Sequence, residues 1–350
     1  MLLGLIIRKL GYGLLVITGV VLVVFFLFQG LGDPSRLVMG QTGDAATRKA
    51  IREELNLDQP RWKQFLYYLN DISPLAVHSR EAIRTKHLKG FFVGGSTCVG
   101  LKVPYLRRSY QTRQEVGSML MRALPGTLLL AGAAMLVAIL LGIPLGVAAA
   151  VRPHSWLDTG SMVASIAGIS APSFFIGIII AYVFGFLLSR YTGLHITGNW
   201  YGVDELTGAR HLTLQNLVLP ALTLGIRPLA IIAQLTRSAM VEVLDQDYIR
   251  TAYAKGLSRR RVIWQHALRN ALNPVVTAVT GWFAELLAGA FFVEYIFGWQ
   301  GIGKVTVDAL EKLDFPVVMG SVLVTAVFFI LVNMLADILY GLIDPRVRVG

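Results

Sequence analysis

The chain has 350 residues, 55% of them hydrophobic and only 15% charged, and its mean hydropathy is +0.61. Soluble chains average about 25% charged residues, so a water-facing surface for two ordinary domains could hardly be built here, and the numbers also argue against disorder, collagen and coiled coil. The class indicated is a polytopic membrane protein, in which the net charge of +11 reads first as cytoplasmic loop charge and not as a nucleic-acid surface.

Apolar stretches of about 20 residues mark membrane helices, and the sequence contains six. The first runs from Leu10 to Gly32, the second from Ala123 to Val151 and the third from Thr159 to Ser189. The fourth, about Leu212 to Thr236, is interrupted by Arg227; the fifth, about Ala271 to Val293, contains Glu285; the sixth, about Phe315 to Ile343, contains Asp337. Arg8 and Lys9 before the first span look like the start of a signal peptide. The stretch is longer than a usual signal core, though, and no small-x-small cleavage pattern follows, so an uncleaved anchor is expected.

Six spans put both termini on one side. With the termini inside, the cytoplasmic segments hold twelve Lys+Arg and the two short outer loops four, which supports that orientation. The long loop from Asp33 to Arg122 carries fifteen, but long loops cross largely regardless of charge. The expected fold is therefore all-α with six transmembrane helices and cytoplasmic termini. It divides into an N-terminal helix (1–32), a large, partly helical extracytoplasmic loop or cap (33–122) and a five-helix core (123–350) with a cytoplasmic loop at 237–270.

Catalytic and metal signatures are missing from the sequence. One cysteine, Cys98, permits no intrachain disulfide, and the six histidines form no His-x-x-x-His pair. The segment Gly298-Trp-Gln-Gly-Ile-Gly303-Lys304 fits the start of a phosphate-binding loop, but Val305 stands where Ser or Thr should reach Mg²⁺, and no strand precedes it. A tight turn or re-entrant segment after the fifth span is the better reading. Arg227, Glu285 and Asp337 are costly inside spans and so are candidates for a pore or gate, with structural ion pairing equally open. Gly142 and Gly146 share one helix face and permit close packing.

The most patterned segment is the loop after the fourth span. Its sequence predicts a helix over about 246–255, with Gly256 at a left-handed end and Arg259, Arg260 and Arg261 just beyond. Small residues at Ala252, Ala254 and Gly256 leave a short helix that can press closely on another surface. A solvated basic loop at lipid headgroups accounts for the charge but does not need this helix.

This loop resembles the coupling segment of ABC importer permeases, whose general form is Glu-Ala-Ala-x-x-x-Gly. Here Arg250, Thr251 and Ala252 stand in the first three places, as is usual in the dipeptide/oligopeptide/nickel branch. Gly32-Asp33-Pro34, Leu124-Pro125-Gly126-Thr127, Glu294-Tyr-Ile-Phe297-Gly-Trp299 and Asp344-Pro345-Arg346 extend the resemblance along nearly the whole chain, closest to the first (B-type) permease of the pair. Two departures stand out: Gln300 replaces the usual Pro, and the outer loop carries an insertion from roughly Pro74 to Val103.

The resemblance implies a permease subunit in a bacterial inner membrane that forms half of a translocation pore. Its implied partners are a second homologous permease, two cytoplasmic ATPases, an extracytoplasmic substrate-binding protein and membrane lipid, with no nucleic acid. ATP and Mg²⁺ would be bound by the ATPases and no cofactor or metal by this chain, which is then not itself an enzyme. Asp247, Arg250, Thr251, Ala252, Ala254, Lys255, Gly256, Arg259 and Arg260 would couple to an ATPase. Arg227, Glu285, Glu294, Trp299 and Asp337 are the pore or gate candidates. Peptides are the first substrate expectation, with nickel chelates, glutathione and sugars behind. A secondary transporter or channel is the alternative, and a membrane enzyme a third.

Overall fold

The computed structural model describes residues 2–30, 52, 58–203 and 210–343. These are mostly helical. Helix α1 covers Leu2–Gly30, and a shorter helix α2, Arg61–Ile72, leads to strand β1, Leu75–Ser79. Helix α3 (Arg80–Thr85) and strands β2 (Gly90–Gly94) and β3 (Thr97–Lys102) follow. Helix α4 runs from Val116 to Val151, beginning before the apolar run at Ala123 because the turn containing Met119 and Leu120 is already helical. Next come α5 (Trp156–Ser170), α6 (Ser173–Ile180) with a π-helical continuation to Leu187, the short α7 (Ser189–Thr192) and a two-stranded ribbon of β4 (Tyr201–Val203) and β5 (Arg210–Leu212).

Helix α8 (Gln215–Leu244) precedes α9 (Asp247–Ala254). The turn α10 (Arg259–Arg261) passes through π-helical residues 262–267 into α11 (Leu268–Gly289). Helices α12 (Phe291–Ile296), α13 (Ile302–Glu311) and α14 (Phe315–Ile343) close the order.

Among the described residues, Val116–Val151, Gln215–Leu244 and Phe315–Ala336 are each long and apolar enough to cross a membrane. The third expected span is not one straight helix. It is the pair α5 and α6, bent by 110°. Pro172 lacks the N–H that would continue the ladder and pushes Ala171 out of the helical region; Ala171 is extended, at φ −78° and ψ 135°.

Two compact units are present. The core unit comprises residues 1–11, 124–304 and 325–350. Its centre is α8, whose most apolar stretch is 56% buried, against 33% for α4. Leu130, Ala134, Leu219, Ile232, Phe297 and Trp299 are among its wholly enclosed side chains. Helices α4 and α8 meet backbone to backbone: a Cβ on Gly142 would lie 3.0 Å from the Leu229 carbonyl, and one on Gly146 2.5 Å from that of Ala233. This is the close approach that glycines on one face allow.

The second unit comprises residues 12–123 and 305–324. Val21 and Phe25 of α1 pack with Tyr68 of α2 and Leu323 of α14. The expected all-α fold does not hold here, because the partly helical cap also carries strands: β1, β3 and β2 form an antiparallel sheet in that order. Its register aligns Leu75, Leu101 and Phe91 in one row and Val77, Val99 and Val93 in the next. All six face outward, 51–76% exposed. Ala76, His78, Cys98 and Lys102 are buried on the other face.

Beneath the sheet, Asp71 is a charge hub. Lys86 Nζ lies 2.6 Å from Asp71 Oδ1 and Arg107 Nε 3.2 Å from Oδ2, while Lys102 Nζ donates to the Asp71 carbonyl. Burial pushes the Tyr68 phenol up to about 12. Burial, and then the Lys86 charge, lower the His78 imidazole below its ordinary value. At the start of α14, Asp314 is 3% exposed and accepts from Ser109 Oγ, from the Tyr110 N–H at 3.0 Å and from the Gln111 N–H at 3.4 Å.

Candidate functional site

Three arrangements in the core unit bear on function. The first is α9. Ile249 and Ala252, 1% and 7% exposed, insert against Met240, Val262, Ile263 and Ala267. The opposite face presents Asp247, Tyr248, Arg250, Thr251, Tyr253, Ala254 and Lys255. The helix ends on Gly256 at φ +78°, with no atom within 4 Å of where a Cβ would stand. Glycine is suited to this left-handed position because other residues are strained there. Arg259 reaches back to the Val151 carbonyl at 3.3 Å, while Arg260 remains exposed. The Asp247–Arg250 pair, 3.6 Å apart and open to solvent, adds little.

A brace unforeseen in the sequence holds the helices around α9. Asp158, in the first turn of α5 and 3% exposed, takes a bidentate pair from Arg237 of α8, with Nη2–Oδ2 at 2.8 Å. The His154 N–H also donates to Asp158 Oδ2, at 2.9 Å. Planar two-point pairing fixes orientation as well as distance. The partners lie 79 positions apart, so no local pattern announces them. The one sequence signal is an acidic residue just outside an apolar run.

The second arrangement joins the middle of α8 to the last turns of α11. Arg227 Nη1 is 4.0 Å from Glu285 Oε1, and the side chains are 52% and 54% exposed. The guanidinium carbon sits 5.5 Å from the ring centre of Trp282, a cation–π distance. Both line a concavity with Gly168, Ala171, Thr223 and Pro228. Pro228 has no N–H to give to the Leu224 carbonyl one turn earlier, and Leu224 lines the same concavity.

The third arrangement surrounds Glu294 and Trp299, both 0% exposed. Thr127 of α4 donates to Glu294 Oε1 at 2.7 Å and accepts the Ile302 N–H at 2.8 Å. The Lys304 N–H reaches Glu294 Oε2 at 3.1 Å, and the Gly303 N–H also donates to the carboxylate. Trp299 Nε1 donates to the Gly126 carbonyl at 2.9 Å. The carboxylate thus occupies the start of α13, where a phosphate-binding loop would place an anion. The glycine-rich segment is a turn closed by its own acid. Both side chains are enclosed within the chain, and Thr127 is the partner that sequence reading missed.

The structure does not bring all the pore candidates together. Arg227 and Glu285 meet, whereas Glu294 and Trp299 form a separate buried knot. Asp337 lies in α14, but its side chain falls outside the described residues. The motif positions Gly32–Pro34 and Asp344–Arg346 lie outside them as well. Among the described residues, no group of three or more His, Cys, Asp or Glu side chains could hold a metal.

Apolar helices long enough to cross a membrane, a half-exposed, glycine-terminated helix and a charge pair between α8 and α11 fit a membrane-embedded transport component. Residues 142–349 match the model of the binding-protein-dependent transport system inner membrane component, and residues 1–131 match that of its N-terminal part. The di/tripeptide transport system permease protein of Pseudomonas aeruginosa is 37% identical, with 97% of each chain covered. The dipeptide transport system permease protein of Escherichia coli is 36% identical, with 98% of each covered. A glutathione transport system permease protein of Salmonella choleraesuis is 36% identical, with 94% of each covered. Among solved structures, an inward-facing methionine ABC transporter aligns with TM-score 0.50 and 17% identity, over 65% of this chain and 97% of that one; at that identity the likeness concerns the fold. The chain belongs to the family of binding-protein-dependent transport system inner membrane components, the permeases of bacterial ABC importers, and is an inner-membrane protein.

Proposed function

We propose that this permease forms half of the pathway for small peptides and is driven by cytoplasmic ATPases that dock on α9. Peptides are favoured because the di/tripeptide and dipeptide permeases match over nearly the whole length. The proposed topology has six spans with both termini inside, α9 in the cytoplasm and the sheet outside. A second permease completes the pore, and an external binding protein delivers the substrate. ATP and Mg²⁺ reside in the ATPases.

The observation that carries this reading is the construction of α9. Ile249 and Ala252 root it between the ends of α8 and α11, while Asp247, Arg250, Thr251, Ala254, Lys255 and Gly256 face away. A push on that face moves α9 as a rigid piece and tilts the two helices that carry Arg227 and Glu285. Arg227 lies roughly 25 Å along α8 from its Leu244 end, far enough for a small tilt to change the charge separation. The Asp158–Arg237 brace ties α5 into the same motion.

The test compares Gly256→Ala with Gly256→Trp. Both pay the left-handed backbone cost of roughly 1–2 kcal/mol, so their difference isolates docking. Insertion is expected to be normal in both, with copurification of the ATPases and peptide uptake lost only with Trp. Full uptake by Gly256→Trp at normal expression would remove the docking role.

A further inference from the structure

Building on the transport reading above, we propose that Arg227 and Glu285 form a net-neutral site for a zwitterionic peptide, with Arg227 taking the terminal carboxylate and Glu285 the terminal ammonium. The argument begins with how incompletely the pair satisfies itself. One contact of 4.0 Å is no bidentate bridge, about half of each side chain is exposed, and both residues line the concavity. A purely structural pair between apolar helices would gain from being enclosed and from using its remaining hydrogen-bonding capacity. The Asp158–Arg237 brace in the same unit does this, with Asp158 buried and accepting from two groups.

Charge balance supplies the selectivity. A charged ligand group is costly at this depth unless it is matched. When a zwitterion enters, the guanidinium and carboxylate part, and each pairs with one end of the ligand. One loose ion pair is exchanged for two, and the net charge stays at zero. An anion or a cation alone would leave one protein charge unmatched and the site charged. Trp282 holds the guanidinium over its ring, which limits how far Arg227 swings as Glu285 departs.

The test uses the complete transporter in proteoliposomes with its binding protein at saturation. Uptake of a free dipeptide is compared with its N-acetyl form (an anion) and its C-amide form (a cation). Each variant's ratios are divided by the wild-type ratios, which removes the binding protein's own preference. Arg227→Gln is expected to shift the ratio toward the C-amide, and Glu285→Gln toward the N-acetyl form, each by up to about fivefold for half-exposed charges. The double variant should lose the preference while still transporting. A structural ion pair predicts equal losses for all three substrates, and that result overturns the proposal. Equal ratios with unchanged uptake overturn it too. Failure of the wild-type complex to carry any dipeptide would instead overturn the peptide-import reading, and binding-protein-stimulated ATP hydrolysis, read in parallel, distinguishes that case.

Discussion

Thr127→Val removes one oxygen and almost no volume, so it measures what that hydroxyl holds. Thr127 is 4% exposed and is used twice, as donor to Glu294 Oε1 and as acceptor for the Ile302 N–H. A hydrogen bond to a charged group contributes about 1.5–3 kcal/mol, and withdrawing the acceptor of a buried N–H costs about 1–3 kcal/mol. The two effects share one atom, so the combined loss is set at about 3 kcal/mol or somewhat more. At about 2–4 °C per kcal/mol for a unit of this size, the melting midpoint in detergent should fall by roughly 6–12 °C. Thr127→Ser keeps the hydroxyl and should lose much less. The assay is thermal unfolding of the purified chain with retention of the monodisperse peak. If Thr127→Val melts with the wild type, or Thr127→Ser falls as far, the hydroxyl does not hold the start of α13.

Asp158→Asn should destabilise the core unit by about 2 kcal/mol, less than for a fully enclosed pair because the Arg237 side chain is 25% exposed; replacing both residues by leucine should recover part of the loss, as a double-mutant cycle of melting midpoints would show. Burial and Lys86 hold the His78 pKa below its ordinary 6.5. His78 therefore contributes stability above that pH, and the contribution is lost as pH falls through the lowered value, because the unfolded chain takes up the proton first. Hydrogen exchange across β1 to β3, corrected for intrinsic rates, should show less protection at acid pH in the wild type and a smaller loss in His78→Gln. Equal protection at both pH values would contradict the buried setting of His78.

The second, fourth and sixth apolar stretches were legible because they need only composition. So was α9, whose observed bounds Asp247–Ala254 sit inside the expected 246–255 and whose Gly256 has the positive φ that a helix end favours. The break at Ala171-Pro172 was written in the sequence but masked by a long hydropathy run that scores proline as neutral. The sheet was illegible for a different reason. Its alternating apolar residues point outward, reversing the usual pattern, while a lysine and a histidine are buried behind them. Asp158–Arg237 and Thr127–Glu294 join residues 79 and 167 positions apart, and such pairs follow only from tertiary packing. Glu294 and Trp299 were visible as a motif, but the sequence alone did not separate a gate from a buried knot.

The outward rows of β1, β3 and β2 have a practical consequence. Six exposed apolar side chains on one face of the sheet form a surface that self-associates in water. Excised from the chain and secreted alone, the segment around residues 58–115 would be expected to aggregate rather than serve as a soluble binding reagent. Antibodies raised against such a fragment would recognise mostly its misassembled form, so epitope work on this face needs the whole permease in lipid.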